Sequence, residues 1–242
     1  MNLEEVLQHR RSVRIYDKTK PLDTEKVKKC IALATLAPNS SNMQLWEFYH
    51  ITSKEILEPL AKACMGQSTA TTAQQMVVFV TRRDLFRKRA KAALAFEKNN
   101  IALNSPEDRI LDRMNNQETY YGKVMPFLYA NFFGIIGWIR KLIVLLVGIF
   151  RPVVYQVSEN DMRVVVHKSC GLTAQTFMIA MAEQGYDTCP MEGFDSRRTK
   201  KILKLPYGAE INMIISCGIR KGTLGIRGDR FRVPFNEVYH EL

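Results

Sequence analysis

Met76-Val77-Val78-Phe79-Val80-Thr81 is a continuous apolar run dominated by β-branched residues. A strand with one wet face alternates apolar and polar side chains, so an unbroken run predicts a central strand covered on both faces. Ile211–Cys217 repeats the pattern and predicts a second such strand, and Trp46–Ile51 predicts a third. Helical patterns lie between them. Residues 3–9 follow an Asn2 cap with Glu4 and Glu5 in the first turn. A second helix opens at Pro21-Leu22-Asp23-Thr24-Glu25 and is stopped by Ala37-Pro38, and others are expected at 53–65, 84–98, 106–121 and 196–204. Within 162–184, Val166, Cys170, Thr173, Ala174, Phe177 and Met181 recur at helical spacing, and Gly185 ends the run. Asp187–Asp195 is expected as a loop and the tail from Gly218 as an extended segment. No repeat or Pro/Ser linker divides the chain, which predicts a single α/β or α+β domain over residues 1–242.

A hydrophobic content of 46% with 24% charged residues suits a folded domain with no disordered tract. The net charge of +11 favours anionic partners: nucleic acid, acidic lipid or a phosphorylated cofactor. The charge is spread along the chain, densest at Arg82–Lys91, with no aromatic-interleaved basic stripe, which sets nucleic acid aside. Five widely spaced cysteines without a CxxC or Cys/His pattern predict reduced, buried thiols and no metal site. The polar, acidic start carries no signal-peptide pattern, so a cytoplasmic location is expected.

The usual nucleotide and hydrolase signatures (GxGxxG, the P-loop, GxSxG, HExxH) are absent. A phosphorylated cofactor would therefore be held by side chains. His9-Arg10-Arg11-Ser12-Val13-Arg14-Ile15-Tyr16 offers three guanidinium forks and a hydroxyl, which suit a phosphate but also a solvated basic turn. Arg230 and Arg232 form a second cluster, and their convergence with Arg10–Arg14 on one phosphate is a geometric expectation. Pro38-Asn39-Ser40-Ser41-Asn42-Met43-Gln44-Leu45-Trp46 is dense in hydroxyls and amides. These could form Asx and Ser/Thr turns, or match a heterocycle with alternating donors and acceptors. Trp46 and Phe48 are expected in the core, and His167, on a helix with no evident partner, in a structural role.

Four segments together, Arg10–Arg14, Pro38–Trp46, Met191-Glu192-Gly193-Phe194-Asp195 and Arg230-Phe231-Arg232-Val233-Pro234, resemble the signature segments of the FMN-dependent nitroreductase family, in the family's order. The resemblance implies an α+β fold, a three-layer α/β/α sandwich around a mostly antiparallel central sheet. It also implies an intertwined homodimer whose two FMN molecules are each touched by both chains. By matching positions, Arg10, Arg11 and Ser12, with Arg230 and Arg232, would hold the phosphate and ribityl end. Arg14 and Asn42 would face the pyrimidine part, with Ser40, Ser41 and Gln44 lining the same loop. Met191, Glu192 and Gly193 would lie by the central ring, a backbone N–H of Glu192–Gly193 aimed at flavin N5. The implied reaction is ping-pong: NADH or NADPH reduces the flavin, then a nitroaromatic, quinone or similar small-molecule acceptor takes its place. A specialised reductive dehalogenase or dehydrogenase on this fold, and a flavin- or membrane-binding protein without turnover, are the alternatives. Leu45 stands where the family commonly has Pro and Asn39 where it has Ser; neither removes a donor.

The stretch at about 122–157 is unmatched and strongly apolar. Arg140-Lys141 would sit near the middle of a bilayer, at about 2.5–3.5 kcal/mol each, so it is not a simple span. Two readings stand for 124–151: a hydrophobic lid packed on the partner subunit, or a hairpin dipping into a membrane surface with Arg140, Lys141 and Arg151 at the headgroups.

Overall fold

The computed structural model describes residues 2–242. In chain order the elements are α1 (Leu3–His9), α2 (Thr24–Ala34), β1 (Trp46–Ile51), α3 (Lys54–Ala63), α4 (Ser68–Thr71), β2 (Gln75–Thr81), α5 (Phe86–Asn104) and α6 (Glu107–Thr119). A π-helical turn, Tyr120–Val124, leads into α7 (Met125–Tyr129). Then follow α8 (Ile135–Val147), α9 (Glu159–Glu183), β3 (Asp187–Met191), α10 (Ser196–Ile202), β4 (Glu210–Gly218) and α11 (Phe235–Val238).

The four strands form one antiparallel sheet in the order β1-β2-β4-β3. The expected central runs are the two middle strands, and all seven residues of β2 are buried. Successive side chains of a strand point to opposite faces. On one face Val77 and Phe79 of β2 and Ile215 and Cys217 of β4 pack on Val27 and Cys30 of α2 and Cys170, Ala174 and Phe177 of α9. On the other, Met76, Val78, Val80 and Ile214 pack on Leu60, Ala61 and Cys64 of α3 and its end. The result is three layers. A third cluster joins Met43 and Leu45, ahead of β1, to Tyr121, Met125 and Tyr129 and to Met162 and Val166 of α9.

Local sequence sets the element starts. Asn2 caps α1 in a reciprocal box with Glu5, Asp23 caps α2, and Ser158 with Asp161 caps α9 one turn earlier than the apolar periodicity indicates. Gly185, at φ +74°, takes the left-handed turn after α9.

Two expectations are corrected here. Asp187–Met191 is a strand, not a loop, pairing with β4 from Asp187 opposite Gly218 to Met191 opposite Ile214. Pro190 obscures it, because a proline is tolerated only where a strand lies at the sheet edge, and β3 is that edge. The tail after Gly218 is also not wholly extended, since Phe235–Val238 turns into α11.

Glu210, at the start of β4, ties α9 to the sheet. His167 Nε2 lies 3.3 Å from its carboxylate and Arg163 pairs with it as well, while Asn212 Nδ2 donates to the His167 carbonyl at 3.1 Å. The His167 hydrogen bond, then Arg163, holds the Glu210 carboxyl down at about 2. A carboxyl depressed on folding stabilises the native state above its unfolded value near 4.5 and loses that contribution as pH falls towards 2. The side chain is 39% exposed, so screening limits the effect to about 1 kcal/mol. Glu210→Gln is expected to lower Tm by a few degrees at pH 7 and by progressively less as pH falls towards 2, measured by thermal melts across that window.

Candidate functional site

Ser12 bridges to Thr188 on the free edge of β3, and the Val13 N–H donates to the Thr188 carbonyl at 3.1 Å. Val13 is fully buried and the Thr69 hydroxyl donates to its carbonyl at 2.9 Å, leaving Ser12 exposed and Arg14 half-buried beside it. Tyr16 anchors the end of this segment, its buried hydroxyl donating to the Ser216 carbonyl at 3.0 Å. Arg220 braces the other end, binding the buried Asp187 carboxylate through its Nε at 2.8 Å and the His9 carbonyl at 2.8 Å.

The C-terminal segment returns across this edge. The Arg14 N–H donates to the Gly225 carbonyl at 2.8 Å, and Arg11 Nη2 to the Gly228 carbonyl at 2.7 Å. Arg230 Nη2 reaches the carbonyls of Leu7, Gln8 and Arg10 at 3.0, 3.2 and 2.6 Å, where a cation suits the negative end of α1. The two ends of the chain thus enclose a cleft of about 280 Å³. Its walls carry Arg10, Arg11, Arg14, Arg227, Arg230 and Arg232, with Ser12, and Asp229 as the one acid. None of these arginines forms an ion pair among the described residues. Burial, then the charge of Arg232 and Arg11, lowers the Arg10 pKa, and Arg230 is lowered by burial and then by Arg10. Six guanidinium groups gathered around a single acid repel, and planar guanidinium forks match a phosphate's oxygens. The cleft is built for an anion.

The Glu192–Gly193 peptide follows β3, the strand that Arg14 touches. Arg14 Nη1 sits 3.6 Å from the Cys189 sulfur on β3, and both Glu192 and Gly193 are exposed just past the end of that strand. Gln67 Nε2 donates to the Gly193 carbonyl at 2.8 Å and to the Cys64 carbonyl at 3.1 Å, fixing the peptide's orientation. The N–H groups of Glu192 and Gly193 have no acceptor among the described residues. Met191 differs: its side chain is buried in the core, so only its backbone faces this region. Gln67 and Thr69 escape a sequence reading because nothing marks the segment after α3 as lying beside Gly193, 126 positions from Gln67, or Val13, 56 positions from Thr69.

Ser40, Ser41, Asn42 and Gln44 do not join the cleft. Their loop precedes β1, with Ser41, Asn42 and Gln44 all at φ near +50°. Left-handed backbone at three non-glycine residues costs about 1–2 kcal/mol each and is retained where the surroundings fix it. Here the Asn39 carboxamide accepts the Gln44 N–H at 2.8 Å, the Ser40 N–H donates to Ser169 at 3.3 Å, and the Tyr121 hydroxyl donates to the Ser41 carbonyl at 3.0 Å. Trp46 pairs with Thr81, which pairs with Glu210, whereas Cys189 pairs with Ser216. Six residues along β4 and three strand spacings across the sheet put this loop about 25 Å from the Cys189–Arg14 contact. Within one chain the candidate residues therefore fall into two separate clusters.

Residues 7–219 match the Nitroreductase family. The chain belongs to that family. Among its relatives are MhqN of Bacillus subtilis, 24% identical over 234 residues covering 96% of this chain and 95% of that protein. The oxygen-insensitive NAD(P)H nitroreductase of Salmonella typhimurium is 26% identical over 203 residues, 81% of this chain and 78% of that protein. A protein of Exiguobacterium sibiricum solved in complex with FMN superposes with a TM-score of 0.69 at 20% identity, covering all of this chain and 98% of that one. At that identity the superposition establishes a shared nitroreductase fold.

Proposed function

We propose that this nitroreductase-family chain is an FMN-dependent oxidoreductase that uses NADH or NADPH to reduce a nitroaromatic, quinone or similar acceptor. The observation that carries it is the cleft of guanidinium groups without acid partners: the donor set suits a phosphate monoester, and the free Glu192 and Gly193 N–H groups follow the strand whose Cys189 touches Arg14 of the cleft. Arg10, Arg11, Ser12 and Arg232 would hold the phosphate and ribityl end, while Arg230 mainly ties the tail to α1. Arg14, nearer Cys189, is the cation for the pyrimidine side, where reduction adds negative charge. Gln67 keeps the Glu192–Gly193 peptide in place, and Gly193, with no Cβ, lets backbone approach a flat ring. Bound FMN would supply hydride exchange at its N5, with reductant and acceptor using the site in turn.

The reading includes a homodimer. The amide-rich loop before β1 lies too far from the arginine cleft of its own chain to meet the same flavin, which supports a reading in which a second copy supplies it. The tail offers an unpartnered surface for that copy, with Phe231, Phe235 and Tyr239 at 80, 72 and 51% exposure.

Purified protein supplied with FMN is expected to retain it through gel filtration as a dimer and to lose its flavin absorbance on anaerobic addition of NADH or NADPH. A quinone should restore the absorbance. Protein that refuses FMN would overturn the proposal, and bound flavin that neither nicotinamide bleaches would point to a binding protein without turnover.

A further inference from the structure

Residues 130–158 leave the body of the protein and return, and their base is clamped from within. Arg140 is only 1% exposed and donates to the carbonyls of Val157 at 2.6 Å, Phe127 at 2.7 Å and Ala130 at 3.0 Å. This corrects the expectation of Arg140 at a lipid headgroup: a charge inside an apolar run reads as exposed, but here it satisfies the carbonyls that the chain leaves free on entering and leaving α8. Glu159 accepts the N–H groups of Phe132 and Gly134 at 2.9 and 3.0 Å, and Gly137 allows α8 to cross the start of α9, where a Cβ would come within 2.6 Å of the Glu159 nitrogen. The inner face of α8 is thereby spent.

The outer face has no cover. Trp138, Leu142, Leu145 and Leu146 are 66, 45, 59 and 57% exposed, continued by Ile149 and Phe150 at 72 and 88%. Contiguous apolar patches of this kind mark an interaction site. Protein interfaces combine aromatic, Met and Arg anchors with a hydrogen-bonding rim. This face is mainly aliphatic, with Trp138 and Phe150 as its aromatics, and it lacks a hydrogen-bonding rim: its polar groups on α8 are the Trp138 indole and Lys141. Between residues 119 and 157 there is no Asp or Glu, while Lys123, Lys141 and Arg151 accompany the buried Arg140, in a chain of net charge +11. Among the described residues no helix is long and apolar enough to cross a membrane, and α8, at 13 residues, is about 20 Å long. That length suits a helix lying in the interface plane.

We propose that the outer face of α8 docks this protein on an anionic lipid surface, with Lys141 and Arg151 meeting the headgroups. The docking does not depend on the cofactor reading.

The test is co-sedimentation of the full chain with phosphatidylglycerol/phosphatidylcholine vesicles and with phosphatidylcholine alone, together with tryptophan emission. Binding is expected to favour the anionic vesicles and to fall with salt, with a blue shift that W138F abolishes. L142E/L146E should cut vesicle binding at least about tenfold while FMN retention and oligomeric state stay as in the parent. Failure of the parent chain to sediment with anionic vesicles would overturn the proposal, as would undiminished binding by L142E/L146E. So would a parent that ignores vesicles but is split into smaller species by L142E/L146E, since a second copy would then cover this face.

Discussion

Arg10→Ala with Arg232→Ala is expected to weaken FMN binding by about 10²–10⁴-fold, read from quenching of flavin fluorescence on titration. A charge-assisted hydrogen bond to phosphate contributes about 1.5–3 kcal/mol, and two are removed. The same change has the opposite sign without ligand. The two guanidinium groups repel each other; burial first, and then the charge of Arg232, lowers the Arg10 pKa, and no acid partner is lost with them. The cofactor-free protein should therefore melt at the same temperature or slightly higher, while the gain in Tm on adding FMN should shrink. Arg230→Ala is the contrasting case, because its three carbonyl contacts at the end of α1 make it part of the fold. It should lower the melting temperature even with no FMN present. Unchanged affinity in the double variant would mean that the anion held by the cleft is not the cofactor's phosphate.

Arg140→Met should have the largest effect on stability, about 2–4 kcal/mol concentrated in residues 130–158. Three carbonyls lose a charged donor, each left partly unsatisfied at about 1–3 kcal/mol, against which stands the relief of desolvating a guanidinium. Burial already lowers the Arg140 pKa, with the nearby charge of Arg83 adding to it. Arg83 holds the same junction, donating to the Glu159 carbonyl at 2.8 Å and the Tyr129 carbonyl at 3.3 Å, so the base of the segment should loosen rather than detach. Hydrogen exchange would show it: faster exchange across α8, little change in β2 and β4. Arg140→Lys should fail to rescue, since an ammonium cannot reach three carbonyls spread in a plane. Equal protection in all three proteins would show that packing alone holds the segment.

The middle of the fold was legible because its signals are local and redundant. Met76–Thr81 and Ile211–Cys217 are apolar on both faces, and Asn2 and Asp23 announce their helices within three residues. The meeting of Arg10–Arg14 with Arg230 and Arg232 was also within reach, since both are dense guanidinium clusters of the kind that would share one phosphate. What escaped depends on long-range position. Pro190 hid an edge strand, because edge and centre are properties of the sheet. Gln67 reaches Gly193 across 126 residues with an amide that has no distinctive neighbours. The loop at Ser40–Gln44 shows its hydroxyls and amides in the sequence, but its distance from the arginine cleft follows from strand order, which no short motif encodes.

All five cysteines are buried. Burial pushes the thiols of Cys30 and Cys64 up to about 11 and that of Cys170 to about 12, and Cys217 higher still. Even Cys189, beside the Arg14 guanidinium, is raised, because burial outweighs the cation. At neutral pH about one thiol in 10⁴ or fewer would be ionised at Cys30 or Cys64, and the thiolate is the nucleophile. Quinones alkylate thiolates. Towards the proposed quinone acceptors, which are soft electrophiles, the chain thus presents no exposed thiol to be alkylated.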